Sequence, residues 1–293
     1  MELIHTVHDL AKLSSIRPGQ RLVLVPTMGA LHDGHLSLVE IGRRYGPVVV
    51  SIFVNPQQFG AGEDFETYPQ DLEQDLAALD PLGVAAVFAP AVHEMYGTAA
   101  GVRIEPGRRG EPLCGACRPG HFAGVLTVVA KLLNLVRPDV AVFGRKDAQQ
   151  CLVIDAMVRD LDFPVRLIDG PTLREPDGLA MSSRNRYLSP DDRQRARCLW
   201  GGLSATRALI ANGERDVQML QAELGRQLNE ADSVEYAEIR AVPELTEIDT
   251  VGGTIVLAVA VQVGPARLID NLVLDVAGDT VQETNLLTGK GQV

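Results

Sequence analysis

The stretch that most constrains this chain is Arg21–Tyr45. Arg21-Leu22-Val23-Leu24-Val25 is an apolar, β-type run that feeds directly into Pro26-Thr27-Met28-Gly29-Ala30-Leu31-His32-Asp33-Gly34-His35, after which helical patterning carries on to about Tyr45. A buried strand entering a helix through a glycine-containing turn is the unit from which α/β sheets are assembled. The same junction is a ready anion site. Backbone N–H groups and the positive end of the helix dipole face a ligand there, and glycine allows close approach. His32 and His35, with Gly34 between them, add side-chain donors that reach the same anion.

The pattern repeats through the first 170 residues. Glu2–Thr6 reads as a short strand. Thr6 then caps a helix over Val7–Ile16, with Asp9 completing a capping box and Arg17-Pro18-Gly19 ending it. Val48–Val54 is an unbroken apolar run of the kind buried on both faces. Asp71–Leu79 reads as a helix with an acidic, solvated face that includes Glu73 and Asp75. Val84–Ala89 follows as a strand, Val102–Glu105 stays β-like, and Gly107–Gly120 is a glycine- and arginine-rich loop. Helix Ala123–Val136, strand Asp139–Phe143, helix Asp147–Arg159 and strand Pro164–Asp169 complete the series. Such alternation predicts an α/β fold with a doubly wound, mostly parallel sheet.

From Ser189-Pro190 the order changes. Helices over Pro190–Ala211 and Asp216–Glu230 precede strands Val234–Arg240, Thr254–Val263 and Leu268–Leu274. That is a smaller α+β domain, giving expected domains of 1–184 and 185–293, with 277–293 an irregular tail. A length of 293 residues suits two unequal domains.

Charge and composition remove several function classes. A formal net charge of −11 argues against a general nucleic-acid surface, which needs a basic footprint. No apolar run reaches the roughly 18 residues of a membrane span, and the N-terminus lacks a signal-peptide pattern, so no membrane partner and a cytoplasmic location are expected. Cys114-Gly115-Ala116-Cys117 has redox or zinc spacing, but Cys151 and Cys198 are isolated, so structural thiols are expected.

Polar side chains gather where strands end, which is where open α/β sheets bind ligands. Asn55-Pro56-Gln57-Gln58-Phe59-Gly60 follows one strand. Asn55 reads as an Asx-type turn before proline, and Gln58 as a candidate for a substrate hydroxyl. Arg118 and His121 stand at a helix entrance. Gly144-Arg145-Lys146-Asp147-Ala148-Gln149-Gln150 is a second strand–turn–helix junction, and its lysine is placed to meet a phosphate. Farther on, Ser182, Ser183 and Arg184 lie in a polar loop that can act as a phosphate clamp.

His32-Asp33-Gly34-His35 resembles the HxGH signature of the nucleotidyltransferase superfamily. Together with Ser51–Gly60, Arg118-Pro119-Gly120-His121-Phe122, Phe143–Gln150 and Met181-Ser182-Ser183-Arg184-Asn185, the chain resembles the pantothenate synthetase family from its N-terminus to about Leu274. The resemblance implies a Rossmann-like N-terminal domain with a small C-terminal lid, in a cytoplasmic homodimer. It implies that pantoate and ATP, with Mg²⁺, form pantoyl-adenylate and pyrophosphate. The β-alanine amine then yields pantothenate and AMP. By that resemblance Pro26, Thr27, Met28, Gly29, Ala30, Leu31, His32, Asp33, Gly34, His35, Gly144, Arg145, Lys146, Asp147, Leu173, Met181, Ser182, Ser183 and Arg184 form the ATP site. Within it His32, His35, Lys146 and Arg184 carry the chemistry, with His35 as proton donor. Gln58 and Gln150 would hold pantoate, with Asn55, Arg118 and His121 also on the substrate side. The chain departs from the family at Arg145, where Glu is frequent, and at Ala148, where an aromatic is. Gln74 stands where some relatives carry Asp, which leaves the metal ligands unassigned. Rival readings are another HxGH nucleotidyltransferase and a catalytically silent nucleotide-binding protein.

Overall fold

In the computed structural model, which describes residues 1–13, 19, 21–97 and 101–287, six parallel strands form one sheet. They are β1 (Glu2–Ile4), β2 (Val23–Thr27), β3 (Val48–Ile52), β4 (Ala86–Phe88), β5 (Val140–Gly144) and β6 (Arg166–Gly170), in the order β1-β4-β3-β2-β5-β6. The helices between them are α1 (Asp33–Arg43), α2 (Leu72–Leu79), α3 (Val92–Tyr96), the one-turn α4 (Cys114–Cys117), α5 (His121–Val136) and α6 (Ala148–Asp160). From β2 the chain builds outward through β3 and β4, then returns to add β5 and β6 on the other side. The direction of winding therefore reverses between β2 and β5, and a crevice opens at their carboxyl ends.

Strand residues alternate between two cores, as a period of two requires. Val23, Val25, Val48, Val50, Val140 and Val142 pack with Leu38 and Val39 of α1. Leu24, Val49, Ala141 and Phe143 face the opposite way, onto α5 and α6. Each such Val, Leu or Phe side chain contributes about 1.5–3 kcal/mol on burial, so the sheet is held from both sides.

The remaining chain forms α7 (Pro190–Ala196), α8 (Cys198–Ala211) and α9 (Val217–Gln227). These precede an antiparallel sheet of β7 (Ser233–Ala241), β8 (Gly253–Val263), β9 (Ala266–Ala277) and β10 (Thr280–Glu283), ordered β10-β9-β8-β7. Ile255, Leu257, Val259 and Val261 face α8 and α9. Val256, Ala258, Ala260 and Val273 face the other way and join the core that contains α5 and α6. The central strands β8 and β9 are thus buried on both faces.

Several expectations need correction. The segment after Thr6 is a 3-10 helix over His8–Lys12; its Thr6–Asp9 pairing is present, while residues 14–16 lie outside the described residues. Val102–Glu105 is not a strand, and the Ile104 N–H donates to Thr127 Oγ1 at 3.1 Å instead. The helix expected over Pro190–Ala211 is interrupted at Arg197. Within the described residues the tail is not irregular: β10 pairs with β9, and Leu286 and Leu287 are buried. Their N–H groups donate to the Asp169 carboxylate at 3.1 and 2.9 Å. Asp169 lies more than a hundred residues upstream, so local patterning carries no trace of this docking. The same carboxylate accepts from Arg145 Nε at 2.7 Å, and Arg145 also donates to Asn285 Oδ1.

Candidate active site

The crevice is a cleft of about 1260 Å³ at the carboxyl ends of the parallel strands, with β9 of the second sheet forming part of its wall. Beyond β2 it is lined by Pro26, Thr27, Met28, His32, Gly34 and His35. Gly29, Ala30, Leu31 and Asp33 do not line it. The first two bend the turn, with φ of +81° and +51°, and the N–H groups of Ala30 and Leu31 donate to the Asp75 carboxylate at 3.0 and 2.7 Å. Asp75 is therefore buried, only 3% exposed, and not on the solvated face of α2. Its spacing carries the signal: three residues after Leu72 and four before Leu79, it falls on the apolar stripe. Burial raises its carboxyl against the opposing effect of the two N–H bonds.

The two histidine rings lie 4.1 Å apart. The His32 N–H points at His35 Nδ1 at 3.4 Å, so the neutral His35 ring carries its proton on Nε2. Burial first, then the positive charge of Lys146, pushes His32 down to about 4. Burial, the neighbouring His32 and Lys146 push His35 down to about 3. Both rings are neutral at pH 7, so they offer hydrogen-bond donors and Lys146 offers the fixed charge.

Beyond β5 the cleft is lined by Gly144, Lys146, Asp147 and, one turn into α6, Gln150. Lys146 Nζ is 3.8 Å from Asp147 Oδ1. Arg145 is not part of this wall. It turns away, buried on Asp169, because alternate residues at a strand end face opposite sides. Gln149 likewise points away and accepts from the Cys114 N–H at 3.0 Å.

Beyond β3, Gln58 lines the cleft with its Nε2 on Met28 Sδ at 3.0 Å. Asn55 is 1% exposed and committed. Its Oδ1 accepts from the Gln57 N–H and from Tyr96 Oη, and its Nδ2 donates to Gln58 Oε1 and the Gly124 carbonyl. Arg118 and His121 both donate to the Gln58 carbonyl, at 3.2 and 2.8 Å. Arg118 also donates to His121 Nε2, fixing the Nδ1–H tautomer, and to Glu63 Oε1 at 2.7 Å. Burial alone would raise Glu63, but the Arg118 guanidinium holds it down at about 2. Burial also pushes His121 down to about 4. Asn55, Arg118 and His121 also line the cleft, and their contacts hold Gln58 in place.

The serine–arginine loop closes the mouth. The Arg184 N–H donates to Ser182 Oγ, Ser183 Oγ meets Tyr68 Oη at 3.2 Å, and Arg184 pairs with Asp64 at 2.8 Å. Met181 and Leu173, both on the cleft wall, are joined by a backbone bond of 2.9 Å. Glu63, Asp64 and Tyr68 come from an aperiodic loop in which sequence patterning gives no hint of function. Asp270, on the wall from β9, is buried and pairs with Arg174, whose guanidinium stacks 3.7 Å above Trp200. Among the described residues no group of three or more His, Cys, Asp or Glu could hold a metal, and Cys114 meets Tyr236 Oη at 3.1 Å. No described helix is long and apolar enough to cross a membrane.

The three depressed histidines set an acid limit on stability. An unfolded histidine takes up its proton near pH 6.5, whereas these three resist protonation in the fold until about pH 4 or below. Their stabilisation is complete above pH 6.5 and is lost as pH falls through the window toward 4. Between pH 7 and pH 5 the loss expected is on the order of 1–2 kcal/mol per histidine, discounted for the open cleft. Urea unfolding at the two pH values measures it; equal midpoints would contradict the neutral-ring assignment.

A doubly wound sheet with an HxGH turn, a lysine at the next strand end and a serine–arginine loop around one cleft defines an ATP-using enzyme of the nucleotidyltransferase type. Residues 2–273 match the family model described as pantoate-beta-alanine ligase. Pantothenate synthetase from Geobacter sulfurreducens is 48% identical over 279 residues, covering 94% of this chain and 99% of that one. The enzyme from Thiobacillus denitrificans is 50% identical over 275 residues, covering 93% and 96%. The crystal structure of pantothenate synthetase from Thermus thermophilus superposes with a TM-score of 0.88 at 45% identity, covering 93% and 99%. Pantoate-beta-alanine ligase from Francisella tularensis, complexed with beta-gamma ATP and beta-alanine, superposes at 0.77 with 33% identity, covering 93% and 97%. The chain belongs to the pantoate–β-alanine ligase family. It is a ligase that condenses pantoate with β-alanine at the expense of ATP.

Proposed function

We propose that both half-reactions take place in this one cleft, with ATP held between the His32–His35 turn and the Lys146 turn. Pantoate carboxylate, already ionised at neutral pH, attacks the α-phosphorus. Negative charge then gathers on the non-bridging oxygens and the departing pyrophosphate. Lys146 supplies a fixed positive charge there, and His35 Nε2–H and the α1 N-terminus supply neutral donors. His32 and His35 act as hydrogen-bond donors from their neutral forms, and His35 gains a proton only as phosphate charge raises its affinity.

The observation that carries the reading is the meeting of an apolar wall and two amides on one side of the charged groups. Phe53, Val125, Val128, Val129, Leu132 and Phe143 line the cleft along with Gln58 and Gln150. That suits the dimethyl carbon of pantoate, with its hydroxyls on the amides. In the second half-reaction neutral β-alanine amine attacks the acyl carbon and AMP leaves. Orientation by Gln58 and exclusion of water by the Tyr68–Ser183 contact then matter more than acid–base power. Arg184 would exchange Asp64 for phosphate when ATP binds.

Asp147 is the carboxylate beside Lys146 on the cleft wall, and it fits a Mg²⁺ that arrives on the nucleotide and keeps most of its water. The ion supplies charge neutralisation of the phosphates. Family resemblance supports a homodimer, a cytoplasmic location and a domain division after residue 184. AMP release with ATP, Mg²⁺ and pantoate, with and without β-alanine, tests the route. AMP only with both substrates, and pyrophosphate with pantoate alone, are expected. AMP formed without pantoate would overturn the proposed order.

A further inference from the structure

The face of β9 that turns toward the parallel-sheet domain carries Ile269, Asn271 and Val273 in alternation, an apolar row broken by one buried amide. Asn271 is 6% exposed. Its Nδ2 donates to two backbone carbonyls, Arg145 at 3.1 Å and Lys146 at 2.7 Å. The amide cannot be turned over, since Oδ1 would then face two carbonyl oxygens. Its own Oδ1 is buried and finds no partner among the described residues, so the side chain meets no need except that of the two carbonyls. A second anchor comes from the same half of the chain, because Asn285 accepts from Arg145.

We propose that Asn271 is a positioning residue for the ligase reaction: from the antiparallel sheet it grips the main chain of the Arg145–Lys146 turn and so sets the direction in which Lys146 enters the cleft. The proposal rests on the reading that Lys146 meets nucleotide phosphate. It follows that any movement of the C-terminal domain carries Lys146 with it or breaks these two bonds. Coupling of this kind makes the charge at the phosphates depend on how the second domain is seated. An apolar residue at 271 would fill the same space but leave the turn unheld.

The test is a double-mutant cycle on the full-length enzyme, read as single-turnover pyrophosphate release with ATP, Mg²⁺ and pantoate. Asn271→Ala is expected to slow release about 10-fold, in line with the cost of misplacing a reacting charge by a fraction of an ångström. In a Lys146→Ala background the same substitution should change the rate less than about twofold. Asn271→Leu, which keeps the volume and removes the donors without adding charge, should behave as Asn271→Ala, and it takes that variant's place in the cycle if Asn271→Ala does not fold. Equal fold-losses in both backgrounds would reduce Asn271 to a structural residue and overturn the proposal, as would an unchanged rate in the parent background. A near wild-type rate for Lys146→Ala alone would overturn it together with the Lys146 reading.

Discussion

Lys146→Ala is expected to lower the rate of adenylate formation by about 10²–10³, the loss typical of removing one donor to transition-state charge. The size of the effect follows from the neutrality of its neighbours. His32 and His35 sit at about 4 and 3, held there by burial and by Lys146 itself, so near pH 7 the ammonium is the permanent positive charge within this group. Arg184 is engaged with Asp64 across the mouth of the cleft, and Arg145 is buried on Asp169. Neither replaces Lys146 without moving. The uncharged donors remain in the variant, so binding of ATP should weaken less than the chemical step slows. His35→Ala should cost a similar factor in rate, through its Nε2–H. Single-turnover assays measure both, and rates within about threefold of the parent would remove these residues from the phosphate site.

How much of this is legible in the sequence follows from which interactions are local. The Arg21–Tyr45 junction can be read because an apolar run, a glycine turn and helical spacing are all contained in one stretch, and the structure places His32 and His35 where that stretch predicts. Lys146 and Gln150 fall on the cleft for the same reason. Arg145 does not, since which side of a strand end a residue takes depends on register with Asp169 in the next strand. Asp75 lies on an apolar stripe, and its spacing alone is enough to place it indoors. Asn55, Arg118 and His121 reach the cleft too, but their hold on Gln58 is not legible, since for Arg118 and His121 it is set by contacts between segments some 60 residues apart. Asn271 and the docked tail are non-local altogether. A single asparagine in a β-type run looks like an edge residue until the carbonyls it faces are known.

Gly124→Ala shows how closely the Gln58 segment is fitted. Gly124 lies in α5, where alanine is ordinarily the better residue by about 1 kcal/mol. Here a Cβ would stand 2.1 Å from the Gln57 carbonyl oxygen, 2.4 Å from its carbon and 2.7 Å from the Gln58 nitrogen. All three are backbone atoms, so no side-chain rotation relieves the clash. The Gly124 carbonyl also accepts from Asn55 Nδ2 at 3.1 Å, tying the helix to the same segment. Either α5 backs away from the sheet or residues 57–58 move toward the cleft. Overpacking of this kind costs typically about 1–3 kcal/mol, and a shift of about 1 Å at Gln58 would slow the reaction about 10²-fold. The loss should appear in kcat and in KM for pantoate together, and KM for ATP should change less, because Gln58 is proposed to hold pantoate and its amide contacts Met28 and Asn55, not the Lys146 turn. Urea unfolding and initial-rate kinetics measure the two effects separately. An alanine variant of parent stability and parent kinetics would mean that the segment yields at no cost, and that Gln58 is not held in place by its contact with α5.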